Sequence, residues 1–587
     1  MNDQIQTPPR WTIAPAWQGC EHAARRLGVS PLIAQLLFNR GVAEAGGEPD
    51  DDAIRSFLKP EMKSLPDPEL LPGAVAAADT IARKIRDRKP IVIYGDYDVD
   101  GITAIAILWH LFKLAGAKAT YYIPHRIEEG YGLNGDALRQ IRADGADTLI
   151  TVDCGITAVE QARTAREVGL TLIVTDHHTP GEALPEADGL VHPCIGTTYP
   201  NPHLCGAGVA FKLAWAIARN LSGSLRVGAE FREYLKQATC LAALGTIADV
   251  VPLIGENRIL AKFGLSALAE SGLVGLRALI ETARLDGKKI NSEHVGFWLA
   301  PRLNAAGRMG HAQLAAELLT TADDARGREI SLYLEDQNRR RQALEKRIFG
   351  EARERIEADR LASDARRGIV VAGTDWHAGV IGIVASRVVE AYRRPTVLIS
   401  LAEGDGQGSA RSIAAFPLHK ALAACGEHLL GWGGHAMAAG VRIAPDRVAA
   451  FTEAFVERAN QWLTARDLEP RLRLDAEVDL ANLSEAMVRD LERLAPFGQS
   501  NPQPRFASPP LLLDGEPRTV GRNGEHLSFC LTDGRTRRRA IAFGKAAHMD
   551  ALCRHRRCRV AYQPMLNTFN DRTSVELQIM DLAFPGE

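Results

Sequence analysis

The residues best suited to chemistry lie in Tyr94-Gly95-Asp96-Tyr97-Asp98-Val99-Asp100-Gly101, where three carboxylates alternate directly after the apolar run Ile91-Val92-Ile93-Tyr94. Like charges this close repel, and a divalent cation is the natural way to keep them ionised. Asp96, Asp98, Asp100 and Gly101 also match the first, third, fifth and sixth positions of a calcium EF-hand loop, but the twelfth would be Ile107 instead of Glu and the loop follows a strand. A solvated acidic turn is the plain alternative. Further on come Asp153 in Val152-Asp153-Cys154-Gly155, Asp176-His177-His178 closing the run Leu172 to Thr175, and Asp249 in the apolar stretch Gly245 to Pro252. Each has an ordinary explanation by itself: Asp153 as a helix cap, the histidines as structural, Asp249 as a cap or buried ion pair. Together, carboxylates and imidazole without thiolates suit Mn²⁺ or Mg²⁺ better than a closed zinc site. Cys553, His555 and Cys558 lack the second ligand pair that structural zinc requires.

Something must hold these groups in place. From about residue 75 to 260, helix-like segments alternate with the buried-strand candidates Ile91–Tyr94, Thr148–Val152 and Thr171–Val174, a pattern that predicts a parallel α/β sheet. The acidic and histidine residues fall at the ends of these runs, where open α/β sheets place their sites. Residues 1–75 read as an N-terminal helical segment and 76–328 as the catalytic α/β domain. Residues 329–364, proline-free, read as a long connecting helix whose apolar seam is interrupted at Gln337 and Arg341. A second α/β domain follows over 365–466, with strand candidates at 368–371 and 395–399. Residues 467–587 show short strand-like runs between Asp-Gly, Asn-Gly and Pro turns, which favour a small β-barrel.

The chain has 587 residues, and Lys+Arg 70 against Asp+Glu 72 gives a net charge of -2, so any nucleic-acid-binding surface must be local. Nine scattered cysteines suit a reducing compartment. No basic stretch followed by an apolar run opens the chain, and no segment reaches the ~20 apolar residues of a membrane span. The expectation is a cytoplasmic protein without a membrane partner.

In order and content, the four acidic and histidine motifs resemble those of the DHH phosphoesterases. The segments Asp375–Gly382, Gly408–Ser412 and Gly431–Gly440 resemble the DHHA1 domain, and Leu494–Pro502 resembles the entry to the OB-like barrel of RecJ-like nucleases. The resemblance covers nearly everything after residue 75. It implies two Mn²⁺ or Mg²⁺ ions, one held by Asp98 and Asp153, the other by Asp100, Asp153, His177 and Asp249, with Asp153 as the bridge. It makes Asp96 an orienting residue and places His178 near the substrate phosphate. Many relatives carry His four residues before the Asp98 equivalent; Tyr94 stands there here, which implies a more weakly held first ion. Two ions ~3.5–4 Å apart suffice for phosphodiester hydrolysis without a protein nucleophile.

The substrate side is expected to use Arg126 and Tyr131, which could offer a guanidinium and a ring to a nucleotide or form an ordinary turn. It adds Arg302, Asn304 and Arg308 for the phosphate backbone, and Ser409, Arg411 and His435 for a terminal 5′-phosphate. In the barrel, Arg535, Arg537–Arg539, Arg554, Arg556 and Arg557 could form a basic groove or a solvated face, with Phe529, Phe543, Tyr562 and Phe569 nearby. The implied activity is 5′-to-3′ degradation of single-stranded DNA to mononucleotides, along a passage closed by the barrel. Single-strand-binding protein and a repair helicase are the implied partners, and a monomer suffices. The alternatives are a phosphodiesterase of oligoribonucleotides or cyclic dinucleotides, which would lack the barrel and long helix, and a non-catalytic DNA-binding scaffold, in which the metal ligands would have eroded.

Overall fold

The computed structural model describes residues 8–45, 48–125, 129–130, 132–196, 199–401 and 404–585. The chain divides into two compact units. One comprises residues 66–251 and 263–469; the other comprises 1–65, 252–262 and 470–587.

The first unit opens on a five-stranded, fully parallel sheet of β1 (Ile91–Gly95), β2 (Ala119–Tyr122), β3 (Thr148–Val152), β4 (Thr171–Thr175) and β5 (Gly189–Val191). The strand order is β2-β1-β3-β4-β5. Helix α1 (Val99–Leu114) follows β1 and is buried on nearly all sides, because it packs on β1 and against α2 (Gly206–Ser222) and α3 (Ala229–Ala248). Helices 135–143 and 159–167 cover the opposite face, where Leu138, Ile141, Ala162 and Ala165 meet Tyr94, Leu149, Leu172 and Val174. Burial on both faces explains why the strands read as continuous apolar runs instead of alternating. The order reverses between β1 and β3, and this switch point is where ligands bind in sheets of this kind.

Helix α4 (Ala300–Arg308) leads to α5 (Asp324–Ala358), the long helix expected from the sequence. Its 35 residues span roughly 52 Å at ~1.5 Å per residue. It starts five residues earlier than expected, because the Asp323 side chain accepts a hydrogen bond from Arg326 N and caps it. The polar interruption of its seam is buried and satisfied: Arg341 donates to Asn338 at 2.5 Å and to Glu345 at 2.7 Å, and Arg387 reaches Glu345 at 3.0 Å. A second sheet follows, formed by β6 (Ile369–Gly373), β7 (Thr396–Ser400), β8 (Gly406–Arg411), β9 (Gly431–Gly434) and β10 (Ala438–Ile443) in the order β9-β10-β8-β7-β6, with α6 (Ala378–Tyr392) packed on it. Only β6 and β7 run parallel.

In the second unit, β11 (Leu511–Leu513), β12 (His526–Thr532), β13 (Arg537–Ala542), β14 (Arg557–Phe569) and β15 (Arg572–Ala583) close into a ring. The pairings run β14-β11-β12-β13-β15 and return to β14. This five-stranded barrel is the OB-like architecture expected. The N-terminal residues do not stand alone: strand 10–13 pairs in parallel with 471–474, and Ile33, Leu36 and Leu37 share one core with Leu480, Leu494, Val560 and Tyr562. The physical reason is that helix Pro31–Asn39 is apolar on too many sides to be covered by its own short segment. Among the described residues no single helix is long and apolar enough to cross a membrane.

Candidate metal centre

The turn after β1 presents Asp96, Asp98 and Asp100. Asp98 caps α1, its Oδ1 accepting from Asp100 N at 2.9 Å and Gly101 N at 3.2 Å. Asp100, in the first turn of α1, is held at both oxygens by the N-terminus of α2: Gly206 N donates to Oδ2 at 2.6 Å and Ala207 N to Oδ1 at 2.8 Å. A helix N-terminus is a favourable seat for a carboxylate. Asp153, just past β3, takes a left-handed backbone with φ 62°. Its carboxylate packs so closely on Gly206 that a Cβ there would lie 2.6 Å from Asp153 Cβ and 2.7 Å from Oδ1. Gly245 approaches Asp100 Oδ1 in the same way, at 2.5 Å. Asp249 caps the C-terminal end of α3, followed by Val250 with φ 59°.

His177 joins these elements. Its Nε2 lies 3.0 Å from Asp153 Oδ1 and 3.7 Å from both Asp100 Oδ2 and Asp249 Oδ2, buried and without a hydrogen-bond partner among the described residues. Burial, and then the charge of His178, press its pKa down to about 3, so the ring is neutral. Burial and mutual repulsion push Asp100 up, to about 6, and raise Asp153 and Asp249 as well. An uncompensated cluster of this kind takes up protons; a divalent cation restores the ionised carboxylates and gives the imidazole nitrogen a partner. Three groups have donor atoms within 4.8 Å of one another: Asp96, Asp98 and Asp153; Asp100, His177 and Asp249; and Asp153, His177 and His178. All donors are carboxylate oxygen or imidazole nitrogen, a set that fits Mn²⁺ or Mg²⁺.

Two features bear on the expected roles. Asp96, expected to orient other residues, has its carboxylate in ligand range with Asp98 and Asp153. Tyr94 is buried and turned away, its ring stacked on Tyr122 at 5.2 Å and its hydroxyl donating to Gly132 O at 3.0 Å. The acidic residue two positions along therefore occupies ligand range on this side of the cluster.

The DHH family N-terminal domain matches residues 90–246, the DHHA1 domain 366–464 and the RecJ OB domain 474–581. The Bacillus subtilis single-stranded-DNA-specific exonuclease RecJ is 36% identical over 98% of this chain and 71% of its own length. The Dickeya dadantii RecJ is 35% identical over 94% and 96%. The chain belongs to the RecJ family of single-stranded-DNA-specific exonucleases. The crystal structure of Thermus thermophilus RecJ in complex with Mn²⁺ superposes with a TM-score of 0.82 at 32% identity, covering 98% of this chain and 80% of that one. The same RecJ in complex with Mg²⁺ gives 0.75 at 30% identity, over 98% and 79%.

Around this RecJ-type cluster, one arrangement went unread in the sequence. Asp176 points away from the ligand groups and braces the histidine pair: its Oδ1 accepts from His177 N, His178 N and His178 Nδ1, the last at 2.7 Å, while Oδ2 accepts from Ile156 N. Burial alone would lower the His178 pKa, but the Asp176 bond and charge outweigh it and raise it to about 9. His178 is therefore a cation at neutral pH. Buried His192 closes the arrangement through Nε2 to His178 O at 2.8 Å. Gly206, Ala207 and Gly245 were missed as well, because they act through backbone and missing volume, leaving no side-chain signal.

The expected substrate residues are placed unevenly. Arg126 and Tyr131 lie outside the described residues. Arg302 is paired with Glu335 of α5 at 2.7 Å and bonded to Trp298 O. Asn304 also serves the scaffold, its Oδ1 accepting from Val99 N at 3.1 Å at the start of α1. Arg308 reaches Gly379 O of α6 at 3.2 Å. Ser409 and Arg411 sit together on β8, with Arg411 Nη1 3.1 Å from Ser409 Oγ, and Gly382 of α6 leaves room for both. His435 is exposed in the turn joining β9 to β10, whose Ala438 pairs with Arg411. In the barrel, Phe529 and Tyr562 are core, whereas Phe543 and Phe569 are exposed. Arg537, Arg539 and Arg556 pair with Asp514, Glu576 and Glu516, favouring the solvated-face alternative for these three.

Proposed function

We propose that the chain degrades single-stranded DNA from its 5′ end to mononucleotides, using two Mn²⁺ or Mg²⁺ ions. The observation that carries this reading is the neutral His177 nitrogen, without a hydrogen-bond partner among the described residues, facing buried Asp100 and Asp153 and half-buried Asp249 at the switch point of a RecJ-type sheet. Asp96, Asp98 and Asp153 would hold one ion, and Asp100, Asp153, His177 and Asp249 the other, with Asp153 shared. Bound there, the ions supply an activated water and neutralise charge on the phosphoryl group. The chain's own contribution is positional. The α2 amides fix Asp100, Asp176 fixes both histidines, and cationic His178 is available to stabilise negative charge or deliver a proton. Ser409, Arg411 and His435 suit a terminal phosphate, which would set polarity and register.

One chain carries every ligand, which supports a monomeric enzyme. Family membership supports coupling to single-strand-binding protein and a repair helicase. The intact ligand set counts against a scaffold role, and the closed barrel against a small phosphodiesterase.

The test is timed digestion of 3′-labelled single-stranded DNA in Mn²⁺, with duplex and RNA controls. Shortening from the 5′ end, confined to single strands and lost in Asp153→Ala, is expected. Strand binding without cleavage under any metal refutes the reading.

A further inference from the structure

Helix α4 is preceded by a turn that the metal centre does not account for. Asn291 and His294 form a capping box, and residues Val295–Leu299 then make a single π-helical turn, with Ala300 N donating to Val295 O. The cause is local: Pro301 has no N–H for the carbonyl of Phe297, and its ring would clash with that carbonyl in a regular helix, so the turn widens. Val295 and Leu299 are buried, and the widened turn sends Phe297 and Trp298 outward. Phe297 is 77% exposed, the most exposed large apolar side chain among the described residues, and Trp298 is 39% exposed.

The pair carries positive charge beside it. His294 meets the Trp298 ring edge-on at 5.8 Å, and Lys288 Nζ lies 5.8 Å from the ring centre. Arg302, itself held by Glu335, bonds to Trp298 O. The turn is also wired to the metal centre. It packs on α3, whose C-terminal end carries Asp249, and α4 runs from it to Asn304, which holds Val99 N. From Phe297 to Asn304 is about 10 Å along the helix at ~1.5 Å per residue.

We propose that Phe297, flanked by Trp298, is a base-stacking platform for the single strand whose scissile end lies at the metal centre. This rests on the single-stranded-DNA reading above. Stacking platforms combine aromatic faces with nearby cations and do not depend on base identity. A protein-docking patch would instead extend over several hundred Å² of contiguous apolar surface, whereas the groups beside Trp298 are Lys288, His294 and Arg302.

The test uses the full chain and the variants Phe297→Ala, Phe297→Leu and Phe297→Tyr. Affinity for a fluorescent dT oligomer is measured without divalent ions, and digestion kinetics are measured in Mn²⁺. Single abasic sites are walked along the strand. Loss of one stacked base predicts roughly a 5- to 150-fold weaker Kd and higher KM in Phe297→Ala and Phe297→Leu, with kcat and Mn²⁺ affinity unchanged and Phe297→Tyr close to the parent. At one abasic position the parent should weaken to the level of Phe297→Ala, and the variant should lose nothing more. Parent-like binding by Phe297→Ala overturns the proposal. So does an equal loss at every abasic position, or full retention by Phe297→Leu, which would mark an apolar protein-docking site. If the parent binds strands but cleaves none, the nuclease reading fails while the binding series still decides the platform.

Discussion

Gly206 leaves Asp153 almost no room. It has no left-handed backbone requirement, and as the first residue of α2 it would gain about 0.5–1 kcal/mol of helix stability from alanine. Yet a Cβ there would sit 2.6 Å from Asp153 Cβ and 2.7 Å from Oδ1, about 0.8 Å short of the 3.4 Å of ordinary contact. Asp153 has nowhere to retreat without leaving both ligand groups it joins, and the Gly206 amide is itself bound to Asp100. Overpacking costs about 1–3 kcal/mol, so Gly206→Ala should stay folded, with stability changed by at most about 2 kcal/mol. Ligand constellations tolerate shifts of only about 0.5 Å, so Mn²⁺ affinity should fall at least about 10-fold and single-strand digestion about 100-fold or more. Calorimetric Mn²⁺ titration and digestion of labelled single strands measure these directly. Gly208→Ala is the control: its Cβ would meet the flexible end of Leu204 at 2.6 Å and no ligand, so it should cost stability while leaving metal affinity unchanged. If Gly206→Ala bound two Mn²⁺ with parental affinity and cut at the parental rate, the assignment of Asp153 as a tightly fixed shared ligand would be wrong.

Asp176→Asn should keep metal binding within a few fold but lower kcat about 10- to 100-fold, because His178 loses its orientation and the charge that Asp176 stabilises; an unchanged kcat refutes the bracing role. Stripping divalent ions at neutral pH leaves the carboxylates of buried Asp100 and Asp153 and half-buried Asp249 close together without a cation. Mn²⁺ at 100 times its Kd should therefore stabilise the fold by about 2.7 kcal/mol in thermal unfolding, and no shift would argue against a resident site. Away from the site, Asp147 ties the start of β3 to Lys84 and Thr148; burial pushes its pKa up, but these hydrogen bonds outweigh it and hold it below the ordinary value. A lowered carboxyl contributes stability above the unfolded pKa of about 4 and loses it as pH falls through the folded value. Asp147→Asn should thus cost about 1 kcal/mol at pH 7, with the difference closing in denaturant titrations as pH falls through the lowered folded value.

The parts of the fold legible in the sequence are those with unbroken local signals. The runs at 91, 148, 171, 369 and 396 fold as strands because each is buried on both faces, and the proline-free stretch after 329 folds as one long helix. The clustering of these acidic and histidine residues was legible because ionisable groups inside apolar stretches require an explanation. What escaped is non-local. The joining of residues 10–58 to a barrel that begins more than 400 residues later depends on a parallel strand pair and a shared core. The same barrier hid the role of Asn304, whose chemistry suggests phosphate but whose oxygen is used by an amide 205 positions away.

The division of labour within the cluster follows from topology. The strand order reverses between β1 and β3, so the turns after these two strands open beside each other and bring Asp96, Asp98 and Asp153 into one group without any loop long enough to be mobile. Asp100, His177 and Asp249 come from a helix start, a strand end and a helix end, and so depend on how α1, α2 and α3 pack. The first group is fixed by backbone geometry and the second by helix packing. Small residues serve both sides: Gly206, Ala207 and Gly245 let the helices close on Asp100 and Asp153, and Gly101 packs on Asp96. Added volume at Gly245 should therefore disturb Asp100 on the His177 side of the centre first, whereas added volume at Gly101 should disturb Asp96 on the other side.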